Sequence, residues 1–371
     1  MIEPLAPGLR PLEHVRAIAP YVPGKPVATL ARERGLDPGA IIKLASNENP
    51  LGMSPRARAA LLASIDDGAR YPDGSCFDLR EALGRRHGAP SNWFCVGNGS
   101  NDILEMAASA QLAAGRSCVI SQYSFAIYAI AIQARGARAI VVPARNFGHN
   151  LEEMAAAIED DTHLVYVANP NNPTGTFASP DEIDAFLAFV PPRVMVVLDE
   201  AYDEFLPPRL RADPLARVER HPNVVVVRTF SKAYGLAGLR VGYALGRPQA
   251  IELFDRVRAP FNVSSPAQAA AAAALEDEEF LGRTLALNEA GVRQLEEGFA
   301  GLGLRFVPSR ANFVLVEVGN AARVDDQLLD AGIIVRPVAG YGLPGWLRVS
   351  VGLPEENERL LGALARILGR P

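Results

Sequence analysis

"NVVVVRTFSKAYGLAGLR", residues 223–240, joins an unbroken apolar run to a segment of small residues, glycines and hydroxyls. Four consecutive valines leave no polar face, so a strand here is covered on both sides, as in the interior of a parallel sheet. The same signature recurs along the chain in "FCVG" (94–97), "SCVIS" (117–121), "ARAIVVP" (137–143), "HLVYVANP" (163–170), "VMVVLDE" (194–200) and "RVGYALG" (240–246). Helix-period segments lie between these runs, among them "SNDILEMAASAQLA" (100–113) and "SPDEIDAFLAFV" (179–190). In the second, Ser179 is placed as N-cap, Pro180 takes the first helical position and Glu182 completes a capping box. Strand and helix alternation at this spacing predicts an α/β domain with a mainly parallel seven-stranded sheet flanked by helices.

The pattern changes near residue 250. Residues 264–303 read as one or two long helices, opened by Ser265 and Pro266 and closed by glycines. "RFVPSRANFVLVEV" (305–318), "GIIVRPV" (332–338) and "WLRVSVG" (346–352) then read as strands of a second sheet, with a last helix from Pro354. The expected division is a large domain over 46–253, and a smaller α+β domain made of 1–45 with 254–371.

Composition removes several classes of function. The 371-residue chain carries a net charge of -5 and no basic run, which disfavours a nucleic-acid partner. No apolar stretch reaches the ~18 residues of a membrane span. The start, "MIEPLAPGLRPLEHVR", lacks the basic and apolar blocks of a leader. Three cysteines (Cys76, Cys95, Cys118) and five scattered histidines match no metal-ligand spacing, so no metal is expected. A cytoplasmic location is the expectation.

The chemistry gathers at strand ends, where open α/β sheets place ligands. Asp199 and Tyr202 follow one strand, Asn172 stands in the rigid turn "ANPNNPTG" (168–175), and Lys232 follows "TFS". "VGNGSND" (96–102) is a glycine-bracketed turn into a helix, so backbone N–H groups around Gly99, Ser100 and Asn101 suit a phosphate. Singly, each has a plainer reading: a helix cap, a turn or a solvated loop charge. Together, an amine beside a phosphate cradle and a carboxylate is what a pyridoxal phosphate site requires. The carboxylate keeps the ring nitrogen protonated, and the phenol and amide hold the ring oxygen.

On these motifs the sequence resembles the fold-type I pyridoxal phosphate aminotransferases, whose fold is aspartate-aminotransferase-like, and among them the histidinol-phosphate aminotransferases. The resemblance runs through "YVPGKP" (21–26), "LASNENPLG" (44–52), "RYPDGS" (70–75), "GNGSND" (97–102), "YSFAIY" (123–128), "NPNNPTG" (169–175), "DEAY" (199–202), "TFSKAYGLAGLRVGY" (229–243) and "GIIVRPVAGYGLPGWLRVSVG" (332–352). It implies that Lys232 binds the cofactor's aldehyde and then shuttles the substrate proton. Thr229, Ser231 and Arg240 would hold the phosphate, Asp199 the ring nitrogen, and Tyr202 and Asn172 the ring oxygen. Phe125 falls where the family stacks an aromatic ring, more often tyrosine, on the cofactor.

The resemblance also implies a homodimer, with Tyr71 reaching the neighbouring subunit's phosphate. Arg348 matches the arginine that clamps the substrate α-carboxylate. Arg336 matches a second arginine near the substrate's distal phosphate, with Tyr21 nearby. Asn47 either lines the same pocket or only stabilises the turn before Pro50. The expected reaction is ping-pong transfer of an amino group between glutamate/2-oxoglutarate and histidinol phosphate/imidazole-acetol phosphate. The alternatives are a broad aromatic aminotransferase acting on phenylalanine or tyrosine, a phospho-amino-acid decarboxylase, and a non-catalytic binding protein.

Overall fold

The computed structural model describes residues 9–370. The first eight residues, which enter the reading of the N-terminus and of the smaller domain, lie outside them. In chain order the strands are β1 (Ile42–Lys43), β2 (Phe94–Gly97), β3 (Ser117–Ser121), β4 (Arg138–Val142), β5 (Thr162–Ala168), β6 (Met195–Asp199) and β7 (Val224–Thr229). They continue as β8 (Gly242–Gly246), β9 (Phe306–Val307), β10 (Phe313–Glu317), β11 (Ile333–Ile334), β12 (Arg336–Pro337) and β13 (Trp346–Ser350). The seven apolar runs all become strands of one sheet, in the order β2-β8-β7-β6-β5-β3-β4. From β7 to β4 neighbouring strands are parallel, while β8 runs antiparallel to both β7 and β2.

Continuous apolar sequence and two-sided burial are the same fact here. Val224 and Val226 of β7, with Val196 and Leu198 of β6, enter one core; Val225, Val227 and Val197 enter a second core. Successive side chains point to opposite faces of a strand. Helices Phe77–His87, Pro180–Phe189 and Ser265–Leu275 cover the first face, and Ser100–Gln111, Ala126–Ala134 and Pro248–Val257 the second. The expected capping box forms, with Ser179 Oγ accepting from the Glu182 N–H and Glu182 accepting from the Ser179 N–H.

The second sheet is antiparallel, in the order β12-β13-β10-β9, and β1 pairs with β11 beside it. Its core joins Val314, Val316, Leu347 and Val349 to helices Ala321–Asp330 and Pro354–Leu368. Helix Glu278–Gly301 links the two cores. Leu281 packs beneath the large sheet, whereas Leu295 and Phe299 lie in the core of the small one. At ~1.5 Å per residue its 24 residues span roughly 36 Å, enough to reach both.

Two details differ from the sequence reading. The N-cap before Pro266 is Ser264, whose Oγ accepts from the Ala267 N–H, and Ser265 is already helical. Helix Ser265–Leu275, grouped by sequence with the smaller domain, buries Ala267, Ala270, Ala271 and Ala274 in the core of the large sheet. Its alanine face lets it lie close against helix Pro55–Ala63. Near the N-terminus, Leu30 and Ala31 of helix Val27–Arg34 pack on Leu329 and Ile334, and segment Glu13–Arg16 lies against helix Ala126–Ala134.

Candidate active site

At the carboxyl ends of β5, β6 and β7 the protein encloses a cavity of about 310 Å3. Its walls bring together Tyr21, Asn47, Ser100, Asn101, Phe125, Asn172, Asp199, Tyr202, Thr229, Ser231, Lys232, Arg240, Arg336 and Arg348. Of the residues singled out from sequence, Gly99 adjoins this wall through Ser100. Tyr71 stands apart: it is 82% exposed and stacks on Phe261 at 4.7 Å. A larger groove of about 1000 Å3, between Leu151–Ala156 and Pro180–Phe189, holds none of these residues.

Topology explains the convergence. Asp199 ends β6, Thr229 ends the adjacent β7 with Lys232 three residues on, and Asn172 follows β5 on the other side. Beneath them Arg228 is buried between Glu200 at 2.7 Å and Asp203 at 2.9 Å. That double pair ties the turn after β6 to the end of β7, and so fixes Asp199 relative to Lys232.

Lys232 is half-buried, and its Nζ donates to the Ser46 carbonyl at 3.0 Å. Loss of water, then the nearby Arg348, pushes its pKa down to about 7. The amine is therefore substantially unprotonated near neutrality and able to attack an aldehyde. Burial pushes the Asp199 carboxyl up, while hydrogen bonds from the Tyr128 hydroxyl (2.7 Å) and the Ala201 N–H (3.2 Å) pull it down. Tyr202 is held by Asn47, whose Nδ2 donates to its Oη at 2.9 Å. Burial raises that phenol to about 12, so it remains a hydrogen-bond donor. Asn47 thus lines the cavity and also braces the fold, since its N–H donates to Ser350 Oγ.

The anion cradle is built from backbone. Gly99 at φ +81° opens helix Ser100–Gln111 without a side-chain cap, which leaves the first N–H groups facing out. A Cβ at Gly99 would lie 2.2 Å from Arg240 Nη2. Arg240, itself at φ +55°, donates through Nη1 to Ser231 Oγ at 3.3 Å. Helix amides, two hydroxyls and one guanidinium thus surround a space suited to a phosphate.

On the opposite wall, Arg336 of β12 and Arg348 of β13 are direct cross-strand partners. Arg348 is 7% exposed; its Nη1 donates to Asn172 Oδ1 at 2.5 Å and its Nη2 to the Ala45 carbonyl at 2.7 Å, while its buried Nε has no partner. Arg336 lies over the Tyr21 ring at 5.6 Å and donates to the Val22 carbonyl. Among the described residues, none of Lys232, Arg240, Arg336 and Arg348 forms an ion pair. Like charges placed opposite each other across strands are destabilising. Three arginines without an ion-pair partner among the described residues, on a wall whose carboxylates are Asp199 and Glu48, therefore mark a site for a ligand, or ligands, carrying several negative charges.

Sequence reasoning missed Tyr128 and the carbonyls of Ala45 and Ser46. A carbonyl has no sequence signature. Tyr128 was visible in "YSFAIY", but an aromatic in an apolar helix reads as core.

Comparison with known proteins gives this geometry its class. The family model for aminotransferase class I and II matches residues 40–364, and the chain belongs to that family; it is a transaminase. It is 59% identical over 362 residues to histidinol-phosphate aminotransferase 2 of Ralstonia nicotianae, covering 96% of this chain and 97% of that one. It is 56% identical to histidinol-phosphate aminotransferase 1 of Cupriavidus pinatubonensis, with 96% of each covered. The crystal structure of histidinol-phosphate aminotransferase from Sinorhizobium meliloti in complex with pyridoxal-5'-phosphate superposes with a TM-score of 0.90. Its identity is 31%, and 97% of this chain and 98% of that one are covered. The architecture is thus fold type I, the large sheet with a smaller α+β part that the sequence predicts.

Proposed function

We propose that this transaminase moves an amino group between histidinol phosphate and 2-oxoglutarate, by two half-reactions on pyridoxal phosphate. The observation that carries the reading is the register of Arg336 opposite Arg348, both on the cavity wall and neither in an ion pair among the described residues. Histidinol phosphate carries a phosphate monoester of about −2 charge and no carboxylate. Two adjacent guanidinium groups match that dianion. Glutamate, the partner in the second half-reaction, offers two carboxylates to the same pair, so the α-carboxylate role of Arg348 belongs to that half. The relatives named above support the substrate, and phenylalanine, with one carboxylate, has no use for a second arginine.

The bound cofactor supplies an electron sink that weakens the bond to the substrate α-hydrogen. The protein's residues do the rest. Lys232 would hold the cofactor through its aldehyde and, as a free amine, would carry the proton taken from the substrate Cα. Asp199 would hold the ring nitrogen protonated. Phe125 would cover one ring face, Tyr202 and Asn172 would hold the ring oxygen, and Ser100, Asn101, Thr229, Ser231 and Arg240 would hold the phosphate. Tyr71, exposed and stacked on Phe261, reaches the phosphate of a second copy, which makes the working enzyme a homodimer. A cytoplasmic location belongs to the same reading; among the described residues no helix is long and apolar enough to cross a membrane.

The test uses half-reactions, in which loss of the cofactor's absorbance follows each amino donor alone. Arg336→Ala is expected to cut kcat/KM for histidinol phosphate by ~30-fold, about 2 kcal/mol, the low end for a truncated charge pair because Arg336 is only partly buried. The phenylalanine value should fall by less than ~3-fold, since Arg348 still meets its carboxylate. Equal losses would remove Arg336 from phosphate recognition.

A further inference from the structure

Tyr128 lies on helix Ala126–Ala134, three residues after Phe125, and is fully buried beside Asp199. Its hydroxyl donates to Asp199 Oδ2 at 2.7 Å. Its ring stacks on Tyr166 at 4.5 Å with the planes 4° apart, and meets Phe125 edge-on at 5.9 Å. Tyr166 is anchored in turn by its hydroxyl on the Leu104 carbonyl at 2.7 Å. Tyr128 is therefore locked in a single orientation, touching both the carboxylate and the aromatic ring that face the cavity.

The direction of the hydrogen bond decides what it does. A phenol next to a buried carboxylate can only donate, and it stabilises the ionised form. The other groups facing Asp199 are the Ala201 N–H, Lys232 across the cavity and the phenols of Tyr202 and Tyr166. Of these only Lys232 titrates near neutrality, and its amine is the group that a ligand's aldehyde would take. The Ala201 amide and the Tyr128 hydroxyl then remain as the standing donors to the carboxylate.

We propose that Tyr128 is a positioning residue that holds Asp199 ionised, so that a proton shared between Asp199 and a ring nitrogen stays on the nitrogen. A carboxylate that accepts a phenolic hydrogen bond has a lower proton affinity, so the shared proton moves toward the ring. Without the phenol the proton shifts toward Asp199, and the pair becomes a neutral acid beside a neutral ring. This rests on the reading of Asp199 given above.

Tyr128→Phe removes one oxygen and keeps both ring contacts, so the fold is retained. The first measurement is the shift of the ring nitrogen in holoenzyme loaded with 15N-labelled pyridoxal phosphate, followed against pH. The variant should lose ring protonation about one pH unit below wild type, a ten-fold change in proton affinity. The second is titration of the 13C-labelled Asp199 carboxyl in protein freed of cofactor, where the variant should titrate about one unit higher. An unchanged Asp199 titration would overturn the role of Tyr128 itself. A shifted Asp199 with a ring nitrogen indifferent to both Tyr128→Phe and Asp199→Asn would instead overturn the placement of the ring over Asp199, and this inference with it.

Discussion

Lys232 is a weak base because its surroundings are dry and already cationic, and both causes act against its protonated form. Its folded-state pKa of about 7 lies below the unfolded value, so the free amine appears as pH rises through that value. Capture of pyridoxal phosphate by protein freed of cofactor should therefore speed up across about pH 6–8 and then level off. A rate that keeps climbing toward ~10, as for an ordinary lysine, would contradict this. At this scale the sequence was informative wherever chemistry needs an unusual residue at a strand end: Lys232, Asp199 and Asn172 stand out because an amine, a carboxylate and an amide interrupt apolar runs. It was silent where the chemistry uses a residue that also makes a good core. Tyr128 is buried like its neighbour Ile132, and only coordinates reveal that its hydroxyl points at Asp199.

Elements carry the cradle, and their meeting tolerates no extra atom. The start of β8 and the start of helix Ser100–Gln111 touch, since a Cβ on Gly242 would lie 2.6 Å from the Ser100 nitrogen. Gly99→Ala adds strain at φ +81° and drives a methyl into Arg240. The expected result is a cofactor dissociation constant raised by at least ~10-fold, measured by titrating cofactor-free protein, with the melting temperature of that protein lowered only modestly. Unchanged cofactor affinity would mean that the helix start and Arg240 do not hold the phosphate together. Strands of the large sheet were legible because burial on both faces forces an unbroken apolar run. The pairing of Arg336 with Arg348 was not, because a loop with no hydrophobic period joins β12 to β13 and nothing in it sets register. Nor was the packing of helix Ser265–Leu275, since an alanine run carries little record of which neighbour covers it.

For the whole molecule, the exposed side chains are as informative as the cavity. Tyr71, Phe77 and Phe261 are 82%, 61% and 47% exposed, and exposed apolar rings are what a surface built to meet another protein would present. If that surface is a second copy, Tyr71→Ala and Lys232→Ala proteins, each inactive alone, should complement when mixed and allowed to exchange. One site of each mixed dimer then carries both lesions and the other neither, so about a quarter of wild-type activity should return. Full activity in Tyr71→Ala alone, or no recovery after proven exchange, would contradict the shared site. The central claim concerns substrate, and wild-type protein tests it most directly. With pyridoxal phosphate bound and 2-oxoglutarate saturating, kcat/KM is to be measured for histidinol phosphate and for phenylalanine side by side. The paired arginines predict a preference for histidinol phosphate of at least ~30-fold, about 2 kcal/mol. Equal values, or a preference for phenylalanine, would contradict it and leave a broad aromatic transaminase in its place.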